Sequence, residues 1–579
     1  MRITEIAIKN YRSFDPNGQT ILFPTLHCAL VGKNNSGKSN IIKAFDLILG
    51  AKNPSYIRFE EDDYFDTNQP IEIKITIGDL RESDKSNLLA IPNLTKQQKG
   101  ALFKKISDGS ADIIFLLRKH PDSAQSATEI IEEIENTQDA FEIHLWGFNV
   151  HRKKDDVRKS IVRMLIVPAI RDYNDELSAS RWTHYGQLMK EVLENSSEYR
   201  NIKEDLSNLN LKIQSAFKKE KQNLLKGARV VSYVDDISFQ LTKENNPSEL
   251  LRNLEIFVKE GSKSFNIKNI GTGTQSAIII GILELALKNR SAKLKLFGIE
   301  EPEVFIHPHG IRYLSSLIRG ISEGQNTQII ISTHSLSLTA NFEPREIILV
   351  GKRTGKTVIK QDSSLAPEHY RRFVHQDNAE IFFSDRIILI EGPTEKHLLC
   401  NLDKATKQTP GDPKSDDCNF DRINVGIIRL DSVDSICNYI KIVKAFGIPF
   451  AAMVDRDFLS KPMCQTLCTE QGIVYQATNQ GQLISDLKSK DILVNTKGEI
   501  EDLFPDQDIA VASGRPLTNI QTIKSSHTKT STAFKKIFQS GKTEYAIKLV
   551  DYYIKSNQAH PLEDLIQKFY ANNISGVIF

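Results

Sequence analysis

Leu26-His27-Cys28-Ala29-Leu30-Val31, then Gly32-Lys33-Asn34-Asn35-Ser36-Gly37-Lys38-Ser39, then Asn40-Ile41-Ile42-Lys43-Ala44-Phe45 is the stretch that decides the fold. It reads as a short apolar strand, a loop of the pattern G-x-x-x-x-G-K-S, and the start of a helix. The spacing has a physical reason. Glycines let backbone N–H groups of Gly32, Asn35, Ser36 and Gly37 close around phosphate oxygens, Lys38 neutralises them, and the Ser39 hydroxyl reaches a bound Mg²⁺. Pattern and both flanks agree, so a nucleoside triphosphate, ATP, is the expected ligand.

Moving outward, residues 294–299 and 328–332 are further short apolar runs that end in polar residues, as buried strands of a parallel sheet do. Ligands usually sit at such ends. The first run delivers Glu300-Glu301-Pro302-Glu303, placing Glu300 where a Walker B metal contact belongs and Glu301 where a water-polarising carboxylate belongs. Glu stands there in place of the more usual Asp. The second run leads into Thr333-His334-Ser335, which places His334 to sense the γ-phosphate. Gly271-Thr272-Gly273-Thr274-Gln275 resembles a degenerate ABC signature, in which Gly273 and Gln275 contact nucleotide held by a partner subunit. That arrangement calls for at least a dimer. Asp63 and Gln69 are the candidates for the Q-loop position. Ile3, Ile6 and Ile8, and the strict alternation of Ile71, Ile73, Ile75 and Ile77, predict half-buried strands of an N-terminal sheet.

The bulk properties set bounds. A chain of 579 residues divides into about two to four domains. With 40% hydrophobic and 26% charged residues it has the make-up of a globular protein. A net charge of +2 supplies little general attraction for nucleic acid, so any DNA site has to come from local patches. The six cysteines, Cys464 and Cys468 included, lack the paired spacing of a disulfide or zinc framework and point to a reducing cytoplasm. No signal-peptide h-region precedes Phe14, and the apolar run 277–287 is interrupted by Glu284, so no membrane attachment is expected.

Between about 172 and 257 the texture becomes helical, with apolar residues at three- and four-residue steps. Lys212, Lys218, Lys219, Lys221 and Lys226 there suit either a solvated helix face or DNA, and the segment suits a dimer surface. A second βα pattern begins at Arg386-Ile387-Ile388-Leu389-Ile390 and continues through 425–428 and 450–454. Its strands end in Glu391-Gly392-Pro393-Thr394-Glu395 and Asp455-Arg456-Asp457, bringing four carboxylates to one sheet edge. Two unit charges ~4 Å apart repel by about 4 kcal/mol at an effective dielectric near 20, so such a cluster requires a divalent cation or altered protonation. Hard oxygen ligands suit Mg²⁺ or Mn²⁺.

The order of motifs in the first 375 residues, together with Asn10-Tyr11-Arg12-Ser13-Phe14 and residues 167–172, resembles the RecF, SMC and OLD branch of ABC ATPases. Strand-Glu-Gly paired with strand-Asp-x-Asp resembles the Toprim signature, and its fusion to an ATPase head resembles the OLD nucleases, with Gabija-type GajA nucleases similar in architecture. The resemblance implies an α/β protein: an ATPase domain (1–171 and 258–375) split by a helical insertion (172–257), then a Rossmann-like parallel-sheet Toprim domain (376–512) and C-terminal helices (513–579). It also implies a further acid at Glu501 or Asp502, with Asp502 preferred, and a lysine at Lys542. The implied chemistry is two-metal hydrolysis of DNA. One ion is held by Glu391, Asp455 and Asp457, and a second lies near Glu395 and Asp502, with Lys542 offsetting phosphate charge. Bacterial anti-phage defence, a homodimer or homotetramer, and a helicase-like or retron-type partner follow from the same resemblance. The alternatives are an ATP-gated DNA-binding scaffold with an inactive Toprim domain, or a RecF-type repair ATPase. The latter leaves the second acidic sheet unexplained.

Overall fold

In the computed structural model the isoleucine alternation becomes a ladder. β1 (Arg2–Lys9) pairs antiparallel with β2 (Gln19–Leu22) on one side and with β4 (Ile71–Gly78) on the other. β3 (His27–Val31) is the apolar strand before the phosphate loop, buried along its whole length. Ile3, Ile6, Ile8, Ile71, Ile73, Ile75 and Ile77 are all fully buried, the expected result of a two-residue period with one face inside. β5 (Ile113–Lys119) and β6 (Ile143–Trp146) complete a sheet of order β2-β1-β4-β5-β6. The structure describes residues 1–50, 57–80, 84, 113–119, 143–146, 161–167, 189, 193–194, 196–216, 218–219, 222, 256–260, 262–271, 273–275, 278, 294–304, 308–324, 327–362, 375, 378–403, 406, 420–430 and 432–570.

The chain forms two compact units, Met1–Cys28 with Gly37–Thr333, and Ala29–Ser36 with His334–Phe579. In the first, β7 (Val162–Val167), β10 (Leu294–Glu300) and β11 (Thr327–Thr333) run parallel, and β8 (Phe257–Glu260) and β9 (Lys263–Asn266) form a hairpin. The fully buried Gln328 of β11 accepts from Ile3 N–H at 2.7 Å and donates to the Ile3 carbonyl at 2.9 Å. It satisfies backbone groups of β1 where that strand's register shifts between Ile3 and Glu5. α1 (Lys38–Leu49) follows the phosphate loop, buries Ile41, Ile42, Phe45 and Ile48, and is capped by Gly37 in a left-handed conformation. Of the expected insertion, α2 (Tyr199–Ala216) is described, and Lys212, Lys218 and Lys219 are exposed on or just beyond it. Lys221 and Lys226 lie outside the described residues. α3 (Pro308–Gly324) links β10 to β11 as a parallel crossover demands.

In the second unit the last three residues of β3 pair in parallel with β12 (Ile347–Arg353), which pairs antiparallel with β13 (Lys356–Lys360). Lys33 is ion-paired to Asp385 at 2.7 Å, and Lys360 donates to the Gly447 carbonyl at 2.6 Å. The second βα pattern is a parallel sheet of order β15-β14-β16-β17, from β14 (Arg386–Ile390), β15 (Val425–Arg429), β16 (Phe450–Val454) and β17 (Ile492–Val494). Among its helices are α4 (Pro393–Leu402), α5 (Ile436–Ala445), α6 (Pro462–Gln471) and α7 (Gln480–Lys488). Cys464 and Cys468 lie one turn apart on α6, where both are wholly buried.

The tail is helical: α8 (Asp506–Ser513), α9 (Leu517–Ser525), α10 (Thr530–Phe538), α11 (Lys542–Ser556) and α12 (Glu563–Tyr570). Phe534, Phe538, Tyr545, Leu549, Tyr553 and Phe569 join Ile388, Ile390, Leu399 and Met453 in one apolar cluster. The tail is therefore part of the core of the second unit. Among the described residues no helix is long and apolar enough to cross a membrane.

Candidate active site

Three adjacent parallel strands, β14, β16 and β17, end on the same edge of their sheet, and the chain places an acid just beyond each. Glu391 follows β14 directly. Gly392 caps α4, Pro393 fixes its first turn, and Glu395 falls in that turn, buried. A Cβ on Gly392 would stand 2.8 Å from Glu395 Oε2, so a larger residue there displaces that carboxylate. Asp455 follows β16 and opens a 3₁₀ turn, Arg456–Ser460. Beyond β17, the 3₁₀ turn Ile500–Leu503 presents Glu501, whose residue is 2% exposed.

The acids feel one another. Burial, then the charges of Glu395, Glu391, Glu501 and Glu499, push Asp455 up to about 8. Burial likewise raises Glu395 to about 7, with Glu501 and Glu391 adding to the rise while its own backbone N–H and Lys542 oppose it. Glu501 is raised by burial against a hydrogen bond from Tyr545, whose hydroxyl donates to Oε1. The same burial and the carboxylate push the Tyr545 phenol upward. Lys542, at the first position of α11, is near enough for its charge to oppose the rise of both Glu395 and Glu501. Glu391 Oε2 is buried with no hydrogen-bond partner among the described residues.

The two remaining expected acids differ in placement. The side chain of Asp457 is 51% exposed and ion-paired with Lys461 at 3.1 Å. Asp502, expected to be the acid of its element, is turned away. Its oxygens accept from Glu499 N–H at 2.8 Å and Thr530 Oγ1 at 2.5 Å, closing the 3₁₀ turn on itself and onto α10. The acid facing Asp455 from this turn is Glu501. Adjacent residues on a tight turn point in different directions, so sequence alone does not choose between them. Glu499, Lys461 and Tyr545 were not singled out by sequence. The E-x-E spacing of Glu499 and Glu501 is the signal that marks the first, while the other two are brought in by tertiary packing.

Among the described residues no three His, Cys, Asp or Glu side chains form a ready-made chelate. The acids share one sheet edge without closing on a common point. Hard oxygen donors, raised carboxylate protonation and an orphaned buried oxygen on Glu391 nevertheless suit a divalent cation.

In the first unit, Lys38 is buried, and burial lowers its amine while Glu301 and Glu303 partly restore it. Glu301 adopts a left-handed φ of 43°, and its N–H donates to the Ser332 carbonyl at 2.8 Å. Thr333 Oγ1 donates to the buried Glu303 at 2.6 Å. The carboxylates beside Lys38 are thus Glu301 and Glu303, the second two places beyond the expected pair. Glu300 is the last residue of β10 and half-buried. Gln275 is buried, its amide donating to the Ile267 carbonyl at 2.7 Å, and Gly273 lies beside it in the first turn. Asp63 is paired with Arg12 at 2.9 Å, and the Gln69 carbonyl accepts from Asn10 at 2.7 Å.

In the second unit, Gly32 has φ +154°, and a Cβ there would fall 2.1 Å from the Val350 carbonyl oxygen. Asn35 has φ 61° and is exposed, and Thr357 Oγ1 holds the Ser36 carbonyl at 3.0 Å. Ser36 Oγ is buried with no partner among the described residues. His334 is exposed where β11 ends.

Comparison with known proteins joins the two halves. A model of the AAA ATPase domain (AAA_15) matches residues 1–339, more than half of the chain. A model of the overcoming-lysogenization-defect-protein-like TOPRIM domain matches residues 382–457, the segment holding Glu391, Glu395, Asp455 and Asp457. The chain belongs to the OLD nuclease family. This OLD-family chain is 25% identical to the Old nuclease of Escherichia phage P2, over 86% of its own length and 84% of the relative's. It is 25% identical to the OLD nuclease of Thermus scotoductus, over 74% and 78%. Against the endonuclease GajA of Bacillus cereus the identity is 24%, over 69% and 67%.

Proposed function

We propose that this OLD-family chain is an ATP-binding, divalent-metal-dependent DNA endonuclease acting in the bacterial cytoplasm in defence against phage. The observation that carries this reading is the convergence of Glu391, Glu395, Asp455 and Glu501 at the ends of three neighbouring parallel strands, close enough that Glu391 and Glu501 add to the raised protonation of Glu395 and Asp455. Glu391, Asp455 and Asp457 would hold one Mg²⁺ or Mn²⁺, and Glu395 with Glu501 a second. Bound there, such ions supply an activated water and charge stabilisation for the leaving oxygen of a phosphodiester.

The chain's own residues prepare that chemistry. Tyr545 fixes the Glu501 carboxylate, and Gly392 leaves Glu395 room to turn inward. Lys542 contributes positive charge for the scissile phosphate. On the nucleotide side, Gly32, Asn35, Ser36, Gly37, Lys38 and Ser39 hold the phosphates of ATP, with Glu300, Glu301 and Glu303 at the metal and water and His334 at the γ-phosphate. Gly273 and Gln275 serve nucleotide bound by a second subunit, which makes the active form a homodimer or homotetramer. A helicase-like or retron-type protein is the class of partner that suits the resemblance.

The test is incubation of supercoiled plasmid with Mg²⁺ or Mn²⁺. The wild-type chain is expected to cut it. Glu391→Ala and Asp455→Ala are expected to abolish cutting while ATP binding persists. Undiminished cutting by either variant removes the assignment.

A further inference from the structure

Lys461 lies between two acids of the nuclease site. Its Nζ is 3.5 Å from Glu391 Oε1 and 3.1 Å from Asp457 Oδ1, so one cation joins the acid after β14 to the acid after β16. Its backbone is fixed on both sides. Lys461 N–H donates to the Phe458 carbonyl, its own carbonyl accepts from Cys464 N–H, and Pro462 starts α6, whose Cys464, Leu467 and Cys468 are buried. The side chain is 30% exposed and that of Glu391 is 23% exposed, so the pair is reachable by ions and neither carboxylate is sealed. Glu391 is half served: Oε1 has the ammonium, whereas Oε2 is buried with no partner among the described residues.

We propose that Lys461 is a resident counter-cation of the metal site, a tethered monovalent charge that occupies the Glu391–Asp457 pair and yields it to an incoming divalent ion. This rests on the reading of the acid cluster as a metal centre. Two cations cannot both sit against the same pair of carboxylates without strong mutual repulsion. The lysine therefore lowers affinity for the divalent ion while it keeps the ion-free acids compatible, and it sets the ion concentration at which the centre fills. A lysine suits this part because its flexible stem lets the ammonium swing out to water without moving the backbone. It acts as a positioning residue through the acids.

The experiment is Mn²⁺ binding to the full chain without DNA or nucleotide, followed by the spin-resonance signal of free Mn²⁺. Only the component that Asp455→Asn abolishes is counted. Lys461→Met is expected to tighten that component about two- to fivefold, a partly exposed pair being worth about a kcal/mol or less. Lys461→Arg is expected to stay within about twofold of wild type, because the charge is kept. In EDTA the Lys461→Met chain is expected to melt below wild type, and Mn²⁺ is expected to close the gap. Unchanged or weaker Mn²⁺ binding by Lys461→Met overturns the counter-cation role and leaves the metal centre standing. Binding that Asp455→Asn does not alter overturns the metal centre itself, and the role of Lys461 with it.

Discussion

Tyr545 and Glu501 are both almost wholly inside the protein, and the phenol donates its proton to the carboxylate. Removing that donor leaves a buried carboxylate oxygen unserved, a loss of about 1–3 kcal/mol. Tyr545→Phe is accordingly expected to lower the melting temperature by a few degrees and to reduce plasmid cleavage roughly tenfold, because Glu501 is no longer held in one orientation. Gly392→Ala makes a cleaner cut between fold and chemistry. Its backbone is extended, so alanine adds no strain there, and its Cβ meets the Glu395 carboxylate first. Cleavage should fall by about tenfold or more with thermal stability almost unchanged. His560 reports on folding alone. Burial lowers it from 6.5 to about 4, and its Nε2 pairs with Thr406 Oγ1 at 3.0 Å. The unfolded chain takes up a proton below 6.5 that the folded chain refuses, so this contribution is complete above 6.5 and is lost as pH falls toward 4. It amounts to about 3 kcal/mol at most. Urea midpoints measured between those limits should decline with acid in wild type and decline less in His560→Gln.

At the scale of elements, β1 and β11 belong to different sheets, and the Gln328 side chain bonds to the backbone of one from within the other. Gln328→Leu keeps the volume and strands an amide and a carbonyl of Ile3, a cost of about 2–4 kcal/mol. Hydrogen exchange should accelerate first at β1, and equal protection in the variant would show that the amide carries no such weight. Glutamine in a buried strand looks from sequence like a break in an apolar run, and its partner is 325 residues away. The strands themselves were plain from sequence, because alternation in β4 and continuous apolarity in β3, β10 and β11 are local consequences of one-sided and two-sided burial.

For the whole molecule, the TOPRIM-matching segment ends at residue 457, yet the apolar core of that unit runs through α10, α11 and α12. A chain cut after residue 512 loses Phe534, Phe538, Tyr545, Leu549 and Tyr553 from that core, along with Lys542. It should fail to give the cooperatively folded nuclease unit that the full chain gives. Limited proteolysis and circular dichroism distinguish these outcomes.

Sequence by itself determined the phosphate loop, the parallel strands and the acids that directly follow β14 and β16, because each is a short pattern whose chemistry and backbone conformation are set by near neighbours. Tertiary structure alone decided that Glu501 and not Asp502 faces Asp455, that Glu303 stands beside Lys38, and that Lys461 and Tyr545 serve the acids. Those outcomes depend on how a turn is rotated and on which distant helix packs against it, and neither is encoded in the spacing of residues along the chain.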